Sequence, residues 1–113
     1  MIDVGIIGGG LAGLSTAITL RRQGFSVVLF EKETYPFHKV CGEYIANESL
    51  PWLSQLLGFD PVTQWHLPQI HKLSISSPSG FTIQKSLQKG GFGVSRYVLD
   101  NALYQEAIRY GVA

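Results

Sequence analysis

The first 31 residues combine two short apolar runs with one amphipathic stretch between them. Residues 2–7 are apolar with a bias to β-branched side chains, which is typical of a parallel strand covered on both faces. Residues 11–23 repeat leucine, alanine and isoleucine at helical spacing, and Gly24 stands where a glycine commonly ends a helix. Residues 26–31 (SVVLFE) are again apolar. The pattern therefore predicts a βαβ unit with parallel strands.

Residues 32–47 mix charged, aromatic and glycine residues and show neither a strand-like nor a helical pattern of apolar positions. We expect a long loop here. Such loops inside compact domains usually serve a site, so residues 38–44 (HKVCGEY) are a functional candidate on loop length alone. Asn47 is predicted to cap a short helix, with Pro51 in its first turn and Gly58 at its end.

Two later runs, residues 70–77 and 81–86, alternate apolar and polar side chains around a Pro-Ser-Gly turn. This pattern predicts an antiparallel hairpin outside the parallel sheet. A glycine-rich link over residues 90–93 then leads to Ser95. Ser95 is predicted to cap a final helix that ends at Gly111.

The predicted fold class is α/β, in three parts. These are a βαβ unit (residues 1–31), an inserted loop, helix and hairpin (residues 32–94) and a helix (residues 95–111). Val112 and Ala113 stand where the next parallel strand would begin. Because two parallel strands are too few for a stable core, we expect the chain to be the N-terminal part of a longer protein and inactive alone.

Composition and charge narrow the classes of partner. The formal net charge is +1 and the basic residues are scattered, so no nucleic-acid partner is expected. The single cysteine, Cys41, cannot form an internal disulfide, which favours a reducing compartment. No apolar run could span a bilayer. The first strand contains Asp3 and has no basic leader, so a secretory signal is not expected. We therefore predict a cytoplasmic protein without a transmembrane segment. Peripheral membrane contact is compatible with this prediction.

Metal and hydrolase sites are not expected. His38 and Cys41 have the spacing of metal ligands, yet His66 and His71 lie on another segment and no second cysteine exists. The sequence has neither a G-x-S-x-G elbow nor a G-x-x-x-x-G-K-[ST] loop. We therefore do not expect a common type of hydrolase or phosphoryl-transfer enzyme. The sequence identifies no catalytic residue.

Candidate chemistry centres on the glycines of the first turn. The string GIIGGGLAG places Gly8, Gly10 and Gly13 in the G-x-G-x-x-G register, directly after a predicted strand and at the opening of a predicted helix. Gly8 allows the sharp turn, Gly10 admits a diphosphate close to the backbone, and Gly13 lets the helix pack on the strands. A tight turn without a ligand is the alternative interpretation.

Glu31 supports the ligand interpretation, because it ends the second strand at about the spacing of 20 residues from the glycines at which an acid binds ribose hydroxyls. A solvated charge at the end of a strand is the alternative. An acid at this place would repel a 2′-phosphate, so the glycine turn and Glu31 predict an adenine dinucleotide other than NADP.

Three segments resemble FAD-dependent oxidoreductases of the glutathione-reductase type, closest to geranylgeranyl reductases and aromatic-ring flavin monooxygenases. They are IIGGGLAGLSTAITLRRQGFSVVLFEK (residues 6–32), PFHKVCGEYI (residues 36–45) and GVSRYVLDNALYQEAIRYGV (residues 93–112). The second segment is similar to the P-x-x-K-x-C-G stretch of the geranylgeranyl-reductase branch. The third is similar to the family's arginine-led helix.

The resemblance implies an incomplete Rossmann-like FAD-binding domain. It implies that Arg96 approaches the FAD, where a guanidinium suits a phosphate or ribose. It also places Lys39, Cys41 and Gly42 on a flavin-facing loop, with a positioning role for Cys41. The predicted cofactor-binding residues are Gly8, Gly10, Leu11, Ala12, Gly13, Glu31, Lys32, Lys39, Cys41, Gly42 and Arg96.

The function implied by the resemblance is that of a flavin enzyme. FAD, with NAD(P)H as reductant, would either saturate a carbon–carbon double bond or activate oxygen to hydroxylate an apolar substrate, isoprenoid or aromatic and polyketide-like. The alternative function is a non-catalytic NAD-binding module that contacts a partner protein through the hairpin.

Overall fold

The computed structural model describes residues 1–113 and has an α/β architecture with two separate sheets. A 3₁₀ turn over Asn47–Ser49 directly precedes the second helix. The other elements in chain order are β1 (Val4–Ile7), α1 (Leu11–Arg22), β2 (Val27–Phe30), β3 (Tyr44–Ala46), α2 (Leu50–Leu57), α3 (Pro61–Gln64), β4 (Gln69–Ser76), β5 (Thr82–Gly93) and α4 (Arg96–Arg109).

The first sheet is the predicted parallel pair. β1 and β2 run in parallel from Val4 opposite Val27 to Ile7 opposite Phe30, with α1 as the crossover. The last residue adds to this sheet, since the Ala113 N–H donates to the Val27 carbonyl at 3.0 Å and the Ala113 carbonyl accepts from the Leu29 N–H at 2.9 Å. Bonds to residues on either side of a partner are those of a parallel ladder. Strand-like pairing therefore begins at the predicted place.

The second sheet has the strand order β3-β5-β4 and is antiparallel. The predicted hairpin is confirmed, but two neighbouring predictions were wrong. The predicted loop over residues 32–47 contains β3, and the glycines at positions 90–93 extend β5 instead of forming a link. Close packing explains two of these glycines, because a Cβ on Gly91 would collide with the Tyr44 ring of β3 and a Cβ on Gly90 with the Ile70 carbonyl oxygen of β4.

The segment between the sheets forms two helices. α2 is the predicted short helix, with Pro51 in its first turn and Gly58 at its end in the left-handed region (φ +83°). The predicted cap by Asn47 was wrong, since its amide donates across the fold to the Lys89 carbonyl at 2.8 Å. α3 was not predicted, although the Asp60 carboxylate caps it by accepting the Val62 N–H at 2.9 Å.

One hydrophobic core joins the parallel pair, the helices and the base of β5. α1 and α4 pack against each other, and α4 buries Leu99, Leu103 and Ala107, whereas Tyr110, directly after the helix, is exposed. Arg22 instead lies over the Tyr110 ring at 4.7 Å from its centroid. The buried core residues are Leu14, Ala17, Ile18, Val27, Leu53, Leu57, Phe92, Val94, Leu99, Leu103, Ala107 and Val112.

Candidate functional site

The glycine turn joins β1 to α1 in the way the sequence predicts. Gly8 has φ +103°, a conformation that other residues rarely adopt. A Cβ on Gly13 would collide with the Gly8 carbonyl oxygen, so glycine at this position lets the helix pack against the end of β1. Gly10 precedes the helix, and no side chain caps α1 and no acid lies in its first turn. Leu11 and Ala12 are the first two residues of the helix. Their backbone N–H groups have no hydrogen-bond partner within the helix and lie at the positive end of its dipole.

Glu31 follows β2 and is hydrogen-bonded to the glycine turn. Its Oε1 accepts the Gly9 N–H at 2.9 Å, and its Oε2 accepts the Glu33 N–H at 2.8 Å. These backbone hydrogen bonds, first that of Glu33 and then that of Gly9, lower the pKa of the Glu31 carboxyl. Glu31 is therefore an oriented anion beside the turn. Lys32, the next residue, is exposed.

Sequence reasoning missed Gly9 and Tyr35. The Tyr35 hydroxyl donates to the Gly9 carbonyl, and its ring stacks on Tyr104 with centroids 4.2 Å apart. Burial is the first cause that raises the pKa of Tyr35 to about 12, which keeps the hydroxyl a hydrogen-bond donor. Side chains that follow β2 thus bind both backbone groups of Gly9. Gly9 is the middle glycine of the GGG string and lies outside the G-x-G-x-x-G register, and no local pattern links it to Tyr35.

Two cations from distant parts of the chain meet the turn at Gly10. A Cβ built on Gly10 would lie 3.3 Å from the Lys39 Nζ and 3.8 Å from the Arg96 Nη2. Lys39 comes from the loop before β3, and Arg96 is the first residue of α4. The structure therefore brings together Gly10, Lys39 and Arg96, which the sequence singled out separately.

Arg96 is held by a carboxylate one helical turn further on. Its Nε donates to Asp100 Oδ1 at 2.8 Å and its Nη2 donates to Asp100 Oδ2 at 3.1 Å. The hydrogen bond with Asp100 is the first cause that raises the pKa of Arg96. Ser95 caps the helix as predicted, accepting the Tyr97 N–H at 3.1 Å. The pairing with Asp100 was missed, although the i, i+4 spacing in the sequence allows it.

Cys41 lies beside Arg96 and is exposed. The Glu43 N–H donates to its Sγ at 3.4 Å. This bond first, and then a hydrogen bond with Arg96, lower the pKa of the Cys41 thiol. The adjacent Gly42 has open space where a side chain would stand. Of the predicted loop residues, Lys39 thus lies near Gly10 and Cys41 lies beside the arginine of α4.

Other site classes find no support in the geometry. No group of three histidine, cysteine, aspartate or glutamate side chains comes together in a way that could hold a metal ion. His38 instead stacks on Tyr97, with ring centroids 4.6 Å apart. No helix has the length and apolar character needed to cross a membrane.

The chain is similar to known proteins, in its first part and over its whole length. The model of the NAD(P)-binding Rossmann-like domain matches residues 6–42. Digeranylgeranylglycerophospholipid reductase of Methanosphaerula palustris is 30% identical over 98% of this chain and 27% of its own length. A probable electron transfer flavoprotein-quinone oxidoreductase of Escherichia coli is 33% identical over 97% of this chain and 26% of its own length. The chain thus spans about a quarter of these curated relatives.

Solved structures show the same fold. The flavin-dependent brominase Bmp2 superposes with a TM-score of 0.79 at 27% identity, over 98% of this chain and 28% of that one. The 2-methyl-3-hydroxypyridine-5-carboxylic acid oxygenase superposes with a TM-score of 0.76 at 26% identity, over 96% of this chain and 29% of that one. The chain has the fold of a Rossmann-like FAD-binding domain, and its homologues are FAD-dependent oxidoreductases, whose N-terminal part it matches.

Proposed function

We propose that the glycine turn, Lys39 and Arg96 hold the diphosphate of FAD. The observation that carries the proposal is the convergence of the Lys39 Nζ and the Arg96 Nη2 on Gly10. A diphosphate carries two negative charges, and two cations beside free helix N–H groups match that charge and its oxygen acceptors. No acidic side chain lies in the first turn of α1, where it would repel the diphosphate.

Gly10 fits the same ligand for steric reasons. A side chain at this position would point at the two cationic groups and occupy the space between them and the backbone. Glycine leaves that space to phosphate oxygens, which can then reach the N–H groups of Leu11 and Ala12 at the start of the helix. Gly8 and Gly13 serve the ligand by shaping the turn.

Glu31 is proposed to accept hydrogen bonds from the ribose of the adenosine half. Its two oxygens already hold the N–H groups of Gly9 and Glu33, which orients the carboxylate and leaves further acceptor positions on each oxygen. The carboxyl is ionised at neutral pH, and its lowered pKa extends that ionisation to more acid conditions. An oriented anion there disfavours a nucleotide with a 2′-phosphate.

Cys41 and Gly42 are proposed to face the flavin end of the cofactor. Their loop runs from Lys39, which lies near Gly10, to β3, and Cys41 lies beside Arg96. The open space at Gly42 lets a planar ring approach the backbone. Cys41 has a positioning role in this proposal and no role as a nucleophile.

When bound, FAD would supply the electron transfer, and this chain would bind and orient it. NAD(P)H is the proposed reductant and a small apolar substrate the proposed electron acceptor or site of hydroxylation. Relatives named as a lipid reductase, a brominase and an oxygenase support a flavin enzyme of this breadth. A cytoplasmic location with peripheral membrane contact stays a prediction that cell fractionation tests.

The binding proposal is tested on the protein as its gene encodes it. We expect a yellow protein that retains FAD, whereas a colourless protein that binds NAD would overturn the proposal in favour of a nucleotide-binding module. Arg96→Ala should weaken FAD binding by about a hundredfold, since it removes a charge-paired donor at the diphosphate. Arg109→Ala is the matched control, because Arg109 lies at the other end of α4 with its side chain 78% exposed.

The reaction is tested by following the flavin absorbance on mixing with NADH or NADPH without oxygen. Bleaching by either nucleotide supports the proposed reductant, and no bleaching by both contradicts it. The same mixture in air, with candidate isoprenoid or aromatic substrates, distinguishes the two reaction types. Substrate-stimulated oxygen uptake indicates hydroxylation, whereas product formation without oxygen uptake indicates double-bond reduction.

A further inference from the structure

The Asp100 carboxylate is buried and depends on one partner. Asp100 is 2% exposed, and both of its oxygens are bonded to the guanidinium of Arg96. A buried carboxylate without a counter-charge is strongly unfavourable. Arg96 therefore cannot turn away toward solvent without leaving a buried anion unpaired, so its side chain is fixed before any ligand arrives.

The position of Arg96 makes this constraint unusual. A cation at the first residue of a helix faces the positive end of the helix dipole, which disfavours it. Ser95 already caps the helix, so α4 does not need Arg96 for its start. The ion pair thus holds an arginine where the helix alone would not favour one, and its side chain is only 12% exposed.

The geometry also determines which part of the guanidinium is left free. Asp100 takes Nε and one hydrogen of Nη2, while the same Nη2, which keeps a second hydrogen, lies 3.8 Å from a Cβ built on Gly10, and Cys41 lies beside the side chain. The charged groups around this donor set are Lys39 at the turn and Asp100 behind it. The edge of the guanidinium formed by Nε and Nη2 is anchored by Asp100, and that anchoring holds Nη2 next to Gly10 at the start of α1.

We infer that Asp100 is a positioning residue, which acts through Arg96 to present a preoriented guanidinium to the diphosphate of the cofactor. This inference rests on the proposed function. It differs from a purely structural role of Asp100, because it predicts that the effect depends on Arg96 and on the phosphate groups of the ligand.

The test measures ADP and adenosine binding to the apoprotein prepared from the protein as its gene encodes it. Asp100→Asn should weaken ADP binding on the order of tenfold, as is common when a group that orients a ligand-contacting residue is removed. Adenosine binding should stay unchanged, because adenosine has no phosphate. Asp3→Asn is the matched control, since it removes the same charge at the opposite end of β1 and should leave ADP binding unchanged.

A double-mutant cycle separates positioning from structure. In the Arg96→Met background, Asp100→Asn should cause no further loss of ADP affinity. An equal loss in both backgrounds, or an equal loss for adenosine, would overturn the inference while leaving the proposed function intact. A wild-type protein that binds neither ADP nor FAD would overturn both.

A second variant keeps the test decisive if Asp100→Asn does not fold. Asp100→Glu retains the charge and the ion pair but displaces the guanidinium by the length of one methylene group. We expect a loss of ADP affinity of about threefold or more, because such displacements are costly at sites that position charge. Unchanged ADP affinity in a folded Asp100→Glu protein would contradict the positioning role.

Discussion

The glycine-turn region and the β4–β5 hairpin are held together in different ways. Around the turn, α1 and α4 bury leucine, isoleucine and alanine side chains completely, and side chains from three parts of the chain bond to the turn or point at it. In the outer hairpin, Ile75 stands opposite Ile83 on one face, and both are more than half exposed. Leu73 and Phe81 extend this face, so the hairpin presents an apolar surface that no described residue covers.

This difference shows which region determines the geometry of the site. The turn is held by hydrogen bonds from the segment after β2, and α1, which follows the turn, packs against α4. The hairpin is fixed by its backbone ladder and its turn, with little burial behind it. Substitutions in the first region should therefore change folding and cofactor binding together, and substitutions in the second should change neither strongly.

The largest expected contrast is between Leu103→Ala and Ile75→Ala. Leu103 is fully buried between helices, so its truncation should lower the free energy of unfolding by about 3–4 kcal/mol. Ile75 is 60% exposed, and its truncation should cost about 0.5 kcal/mol or less. Chemical denaturation of both variants measures the contrast. Equal losses would mean that the hairpin is buried in the protein in solution.

Gly13→Ala should lower the free energy of unfolding by about 2–3 kcal/mol and weaken FAD binding, because the added Cβ collides with the Gly8 carbonyl oxygen. This loss is expected although alanine is the better helix former. Gly5→Ala in β1 is the control, since its Cβ would meet only the Val28 Cγ1 at 3.8 Å. A Gly13→Ala protein with wild-type stability would show that the helix can shift away from β1.

Glu31 should make the stability of the turn depend on acid pH. Its pKa is lowered on folding, so its contribution is complete above its ordinary pKa of 4.5 and is lost as the pH falls through the lower folded value. Melting temperatures of wild type and Glu31→Gln should differ at neutral pH and converge in acid. Asp3 titrates in the same direction in both proteins and cancels in the comparison. A difference that persists in acid would contradict this account.

The smallest effect is expected at the start of α4. Ser95→Ala removes the cap hydrogen bond to the Tyr97 N–H and should cost about 1 kcal/mol of unfolding free energy. Ser49→Ala is a matched control, because Ser49 precedes α2 without any side-chain cap bond. Thermal unfolding of both variants compares the two caps. A similar cost at Ser49 would show that serine stabilises these helix starts by another means.

The parts of the fold that follow from local patterns were predictable. The parallel pair, α1, α4 and the hairpin turn depend on periodicity, caps and glycines within a few residues of each other. β3 was not predictable, because three residues become a strand only through pairing with β5. Asn47 was misread for a similar reason, since its amide finds the distant Lys89 carbonyl in place of its own helix.

The candidate site divides in the same way. The glycine register and Glu31 were visible from spacing, whereas the approach of Lys39 and Arg96 to Gly10 depends on the tertiary fold and has no local pattern. The hydrogen bond of Tyr35 to Gly9 spans 26 residues and has no local pattern, so the sequence could not show it. The partner of Arg96 could have been found, since an acid four residues along a helix is a recognisable pairing.

The two hydrogen bonds to the backbone of Gly9 affect the rate of hydrogen exchange in the turn. Its N–H is bonded to the Glu31 carboxylate, and its carbonyl accepts from Tyr35. Exchange of the Gly9 amide hydrogen with deuterated solvent then requires that the segment after β2 open, whereas the first amides of α1 exchange without such an opening. A cofactor that binds the start of α1 would slow the exchange of those first amides most and change the Gly9 rate least. The exchange rate of the Gly9 amide hydrogen therefore reports how often the turn opens.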